Sequence, residues 1–527
     1  MKKLIIFPIC FCAIFVFAQK NNPQKFAATI TVNDLHKHLA IIAGDEMEGR
    51  ETGTPGQRKA AAYIRNFFKK TGLAFPPNFN GYEQFYPLLT DTLLSSILKI
   101  NNSELRYGTD FITPVSRNTN GKISADQIVF VGYGIDDENY SDYGNFDAKG
   151  KIVAFVLGEP RDTTGNFIIS GNKKTSKWTY PGLAKKLVVA ADKGAVGALV
   201  ISPINSAGFT DRNIVESKKK KPYFPSGNSS NIPVAEISHN TAKLIFPAGA
   251  EHFIAKGKRS EAFGITDRLA TQSVAEFSVS KMQDTIWASN VLGVVEGSDK
   301  KDEYVFVTAH YDHLGKHDGK IYYGADDDGS GTVAVLGMAE AFAKAKAAGK
   351  GPRRTIVFMT VSGEEKGLWG SEYYSENPVY PLDKTSVDLN IDMIGRIDTE
   401  RMKADTLNYI YVVGHDKISS ELPLINEAIN NKYTGLTLDY KFDDPNDPER
   451  IYFRSDHYNF ARKGVPVLFF YDGMLQSAYH KTKDTVDKIY WKLLEKRTRM
   501  IFLTAWEMAN RENMLKRDKP IPTSTRY

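Results

Sequence analysis

Cysteine is almost missing from this chain. Both cysteines, Cys10 and Cys12, fall within the first 18 residues. The remainder can form no internal disulfide, and any metal site in it has to be built from His, Asp and Glu. Long apolar runs are as scarce: beyond the N-terminus no segment reaches the roughly 20 residues of a bilayer-spanning helix, so stable membrane insertion is not expected. Neither sign of charge prevails, because 68 Lys+Arg against 62 Asp+Glu leave only +6 over 527 residues. A balance that close points to no nucleic acid partner. The one basic cluster, Lys218 to Lys221, reads as a solvated loop. There is no internal repeat and no low-complexity tract. A G-x-S-x-G elbow, an H-E-x-x-H helix and a Walker A loop are also lacking, which leaves a serine hydrolase or an ATPase without support.

What is present is an ordinary globular composition, 42% hydrophobic and 25% charged, in a length that allows about three domains. Residues 1–18 have the build of a signal peptide: Lys2 and Lys3, an apolar stretch from Leu4 to Ala18, and a Val16-Phe17-Ala18 end before polar Gln19-Lys20. The expected location is therefore outside the cytoplasm: periplasmic, cell-surface or secreted.

After the leader, residues 31–43 and about 57–70 carry apolar side chains at helical spacing, with a Gly-rich loop, GDEMEGRETGTPG, between them. From about 124 to 265 short apolar runs (128–131, 151–157, 198–201) alternate with Gly-, Asn- and Lys-rich loops, and one helix-like piece lies near 183–193. This predicts a small β-rich module inserted into a larger domain. From 284 onward strand, loop and helix repeat. The runs 303–309, 354–361, 386–393 and 466–472 are continuously apolar, the pattern of strands covered on both faces. With helices over 332–348 and 492–510 between and after them, the fold class is α/β, three-layered α/β/α around a mostly parallel or mixed sheet.

In such a sheet ligands collect outside the carboxyl ends of the strands. Those ends are rich in metal-binding side chains: His310-Tyr311-Asp312-His313, then Asp326-Asp327-Asp328 opening a helix, Glu364-Glu365, Asp392, and Tyr479-His480. Singly, each has a plain structural explanation, such as helix capping or solvation. Five such features at one sheet edge would cost many kcal/mol in repulsion and desolvation without a cation. Oxygen and imidazole donors without thiolate suit a pair of zinc ions, with manganese or cobalt as alternatives.

The strings AHYDHLG (309–315), GADDDGSG (324–331), SGEEKGLWGS (362–371), NIDMIG (390–395), SDHYNF (455–460) and YHKTKDT (479–485) resemble, in order and spacing, the co-catalytic di-zinc exopeptidases of peptidase clan MH. That group includes secreted bacterial aminopeptidases and glutamate carboxypeptidases. The opening LAIIAGDEMEGRETGTPGQRKAAAYI resembles it too, so the likeness covers about 30–122 and 270–510. The resemblance implies a peptidase domain over 27–122 and 268–515. It also implies an inserted protease-associated domain over 123–267, the latter through VFVGYGI, KGKIVAFVLGEP and AADKGAVGALVISP. Carried over residue by residue, it gives His310 and Asp392 to one zinc, Glu365 and His480 to the other, and Asp327 to both, with a cis Asp327-Asp328 peptide. Asp312 would orient His310, Glu364 would be the general base and Tyr479 a donor to the oxyanion. Ser455, Asp456 and His457 are expected to be supporting residues, Arg454 to face the pocket, and His313 to form part of its wall. His317 and His415 are expected at the surface.

The implied activity is hydrolysis of peptide substrates at chain ends, foremost as an aminopeptidase, for which Asp326 or Glu364 could receive the substrate amine. A carboxypeptidase or dipeptidase of the same fold, a glutaminyl cyclase with one zinc, and a non-catalytic receptor-like protein stay open. The sequence gives no oligomeric state.

Overall fold

The computed structural model describes residues 22–522 except 145, 181, 202–207, 226–231, 248–269, 402–405, 474 and 476. The leader expected over 1–18 lies outside the described residues. Among the described residues two compact units divide the chain, one formed by 22–86 and 288–522 and the other by the described part of 87–287. The second unit is wider than the 123–267 stretch delimited from sequence texture.

In the first unit a sheet runs in the spatial order Ala275–Val295 (from Ala288), Arg354–Val361, Lys300–His310, Thr385–Ile391, Val467–Tyr471, Tyr409–Val413, Thr437–Asp439. The four strands from Arg354–Val361 to Val467–Tyr471 pair parallel with their neighbours, whereas Ala275–Val295 and Tyr409–Val413 join antiparallel. The sheet is thus mixed, as expected, and four carboxyl ends emerge along one edge.

The continuous apolar runs have the predicted cause. Along Arg354–Val361, Ile356 and Phe358 belong to one buried cluster and Val357 and Met359 to another. The first cluster takes in Leu35 and Leu39 of helix Val32–Ile42, Ile64 of Pro55–Thr71, Phe342 of Gly331–Ala347 and Phe502 of Trp491–Asn510. The second takes in Tyr374 and Phe460. Both faces are therefore covered, so successive strand residues such as Ile356 to Met359 are apolar whichever way they point. The Gly-rich opening is ordered too: Asp45–Arg50 forms a short 3₁₀ segment, with Glu48 and Gly49 at positive φ.

The second unit holds a six-stranded sheet in the order Ala270–Thr271, Ile128–Phe130, Ile152–Val156, Gly197–Ile201, Val234–Ile237, Phe111–Ile112. Its four central strands are parallel, and helix Leu183–Asp192 falls between two of them in sequence. That connection makes the unit α/β in its centre rather than purely β. Among the described residues no helix is long and apolar enough to cross a membrane.

Candidate metal centre

The edge of the first unit's sheet gathers the predicted side chains because each sits where a strand stops. His310 is the last residue of its strand, Asp392 follows Ile391, and Glu364 and Glu365 come three and four residues after Val361. Asp327 arrives from the turn leading into helix Gly331–Ala347, and Asp327-Asp328 is a cis peptide bond, as the resemblance implies.

The carboxylate of Asp327 lies between two sets of donors. Its Oδ1 is 3.3 Å from His310 Nε2, which is in turn 3.5 Å from Asp392 Oδ1. Its Oδ2 is 3.3 Å from His480 Nε2, which is 3.0 Å from Glu365 Oε2. The neighbouring aspartates turn elsewhere. Asp328 accepts from the backbone N–H of His310, Gly331 and Met393, and Asp326 accepts from that of Gly395. The ambiguity of the triple Asp is thereby resolved in space. Asp326, considered for the substrate amine, is instead fully buried and engaged with the backbone.

Several buried polar atoms here have no hydrogen-bond partner: His310 Nε2, both ring nitrogens of His313, Asp327 Oδ2 and Glu365 Oε1. Leaving a buried polar atom unpaired costs about 1–3 kcal/mol, more if charged. A cluster of them on imidazole and carboxylate fits a cation-binding donor set. His310, Asp327 and Asp392 can offer one ligand atom each within 4.8 Å of one another, and so can His313, Asp327 and Glu365.

The carboxylates of the cluster raise the proton affinity of its imidazoles. Burial opposes the His310 imidazolium, yet Asp392 and Glu364 beside it hold its pKa well above the usual histidine range. His480 likewise overcomes burial through the adjacent Asp327 and Glu365 carboxylates, reaching about 10. Burial raises Glu364 well above the ordinary carboxylate range, and Asp392 and Glu365 push it further in the same direction against His310.

Asp312 stands next to His310, its Oδ1 3.5 Å from Nδ1, while its backbone carbonyl is closer at 3.1 Å. Its carboxylate also accepts from Thr52 Oγ1 and from the backbone N–H of Glu364. Tyr479 stacks on His480, with ring centroids 3.8 Å apart, and its hydroxyl accepts from Arg454 at 3.4 Å. A small cavity of about 40 Å³ opens beside the cluster, with Asp327, Glu364, Asp392, Arg454 and Tyr479 among its lining and Met393, Ile451, Phe469 and Tyr471 as apolar walls. Ser455 accepts from Asn390, Asp456 from Ser371, and His457 lies buried against Phe469. The three thus hold neighbouring elements together, and Ser455 also reaches the cavity.

Two residues that sequence reasoning passed over tie the site together. Arg50 is fully buried and donates to the carbonyls of Tyr311, Ile42, Tyr323 and Gly324. Asp484 accepts from the backbone N–H of Asp326 and Asp327. Both sit inside strings quoted for the resemblance, and that was the only signal available. His415 is half-buried rather than superficial: it stacks on Tyr440 and lies 2.6 Å from Asp443. The group His415, Asp416, Asp443 already contains a cation, since Lys417 Nζ contacts both carboxylates.

Residues 290–505 match the profile of Peptidase family M28. Over 469 residues the chain is 23% identical to "Glutamate carboxypeptidase 2 homolog" of Caenorhabditis elegans, covering 74% of this chain and 57% of that protein. It is 27% identical over 333 residues to "Probable leucine aminopeptidase" of Arthroderma otae, covering 58% of this chain and 86% of that one. In fold it is similar to the solved structure "Aminopeptidase from Aneurinibacillus sp. strain AM-1", with TM-score 0.51, 18% identity, and 95% and 98% of the two chains covered. Residues 290–505, which hold every side chain of the clustered site, are thus the part of this chain that is similar to peptidase family M28.

Proposed function

We propose that this protein is a zinc-dependent exopeptidase with two metal positions, acting foremost as an aminopeptidase on peptide substrates. The observation that carries the reading is Asp327, whose two oxygens face two different histidines with a second carboxylate beside each. In this reading His310 and Asp392 hold one ion, Glu365 and His480 the other, and Asp327 both. That arrangement disfavours the single-zinc glutaminyl cyclase reading, and the full donor set with Glu364 disfavours a receptor without activity.

A zinc pair supplies, when bound, the Lewis acidity that brings water within reach of a weak base and polarises a carbonyl. The protein's own part is positioning and proton movement. Glu364 lines the cavity and is not one of the assigned ligands, so it is free to take a proton from water and return it to the leaving amine. Asp312 limits the rotation of His310 through Nδ1. Tyr479 presents a hydroxyl at the cavity wall to a developing oxyanion, and Arg454 donates to that oxygen from behind.

A carboxypeptidase or dipeptidase is the second reading, favoured by Arg454 as a cation lining the same cavity. One tetrapeptide, free and N-acetylated, separates the two by mass spectrometry in the presence of zinc. Stepwise loss from the N-terminus of the free form alone is the expected result. Loss from the C-terminus of both forms overturns the aminopeptidase assignment. Export through the 1–18 leader and a protease-associated character for 123–267 belong to the same proposal.

A further inference from the structure

His313 has no part in the ligand set carried over from the resembling proteins, and the reading above leaves it idle. It is nevertheless fully buried, and neither ring nitrogen has a hydrogen-bond partner. The nearest polar atom to Nδ1 is Glu365 Oε1 at 2.7 Å, also without a hydrogen-bond partner: the two atoms are close but not aligned for donation. Asp327 Oδ2 is 3.9 Å from the same nitrogen, and the ring of His480 stands edge-on at 6.0 Å. The ring is pressed against Gly324, where a Cβ would come within 2.4 Å of His313 Cγ. Its orientation is therefore built into the turn that delivers Asp327.

We propose that His313 is a further ligand of the ion held by Asp327, Glu365 and His480. The two metal positions then differ in kind. One is closed by four protein donors, two of them imidazoles. The other, with His310, Asp327 and Asp392, has three donors and keeps an open position. Four protein donors characterise zinc sites that retain their ion, and three with an open place characterise sites that do chemistry. Of the side chains that belong to one position alone, Asp392 lines the cavity, as does Glu364, while His310, His313, Glu365 and His480 do not. The closed position fills first and prefers zinc or cobalt, whereas the oxygen-richer open position also accepts manganese.

The inference rests on the two-metal reading, and the test separates the two. Metal-free full-length protein is titrated with zinc against a chromophoric chelator, as wild type, His313→Gln and His317→Ala. Two steps separated by at least about tenfold are expected for wild type, with the tight step weakened about 10–100-fold in His313→Gln and neither step changed in His317→Ala. In cobalt-loaded wild type, proton NMR should show three hyperfine-shifted imidazole N–H signals, and in His313→Gln two. The wild-type count needs no variant to fold. Two signals in wild type, or a tight step untouched by His313→Gln, overturns the role of His313 and leaves the two-metal reading standing. A wild-type protein that takes up no zinc overturns both.

Discussion

Replacing Arg50 tests the physical account of how the site is assembled. Its guanidinium reaches Tyr311 O at 2.7 Å, Ile42 O at 2.8 Å, Tyr323 O at 2.7 Å and Gly324 O at 2.9 Å. These bonds join the opening segment to the two loops that carry His310, His313 and Asp327. A hydrogen bond to a charged donor contributes about 1.5–3 kcal/mol net, but four such values do not simply add. Arg50→Met also removes the desolvation cost of a fully buried cation, which offsets part of the loss. What remains is a set of carbonyls left without their donor, and an expected destabilisation of about 3–5 kcal/mol. Arg50→Lys, which keeps the charge but loses the fork, should fall between wild type and Arg50→Met. Urea unfolding measures the change, and hydrogen exchange across 311–313 and 323–327 locates it. Unfolding midpoints equal to wild type, with exchange in those loops unaltered, would refute the claim that Arg50 holds the two loops together.

Glu364→Gln should keep both metals by elemental analysis and lower kcat by about 10²–10⁴, whereas retained turnover would put the base elsewhere. Tyr479→Phe should leave metal content intact and reduce kcat by up to about 10²–10³ if the hydroxyl meets the oxyanion. Removing metal with a chelator should abolish peptide hydrolysis and lower thermal stability, and zinc at a thousand times its Kd should restore about 4 kcal/mol. In the second unit, burial depresses Lys186 to about 7, against the pull of Asp142 and Glu159. The folded state therefore binds that proton less readily than the unfolded chain. Its destabilising contribution should be absent above the unfolded value of 10.5 and grow as pH drops towards about 7. Lys186→Met should flatten that slope, read as hydrogen exchange of Ile152–Val156 between those pH values. An unchanged slope would mean the lysine is not responsible.

The sequence disclosed the fold where a residue's neighbourhood leaves a periodic mark. Strands such as Arg354–Val361 carry an unbroken apolar run, here Ile356 to Met359, because both faces are covered, and that signal survives without coordinates. Tyr409–Val413 and Thr437–Asp439, which extend the sheet, were not singled out. The second unit's limits at 87 and 287 fall inside the long strands Glu83–Ile100 and Ala275–Val295, where composition does not change.

The sequence by itself determined the donor chemistry. Imidazoles and carboxylates at strand ends, with no thiolate beyond residue 18, restrict the site to a hard or borderline cation whatever the details of the fold. It also determined the edge at which they meet, since parallel strands present their carboxyl ends together. Only the tertiary structure decided which of three consecutive aspartates faces the cluster, because that depends on backbone N–H groups of Met393 and Gly395 engaging Asp328 and Asp326. It alone brought Arg50 beneath loops more than 250 residues away in sequence, and aimed His313 at Glu365. These are matters of direction and distance between segments remote in the chain, and no local pattern of residues encodes them.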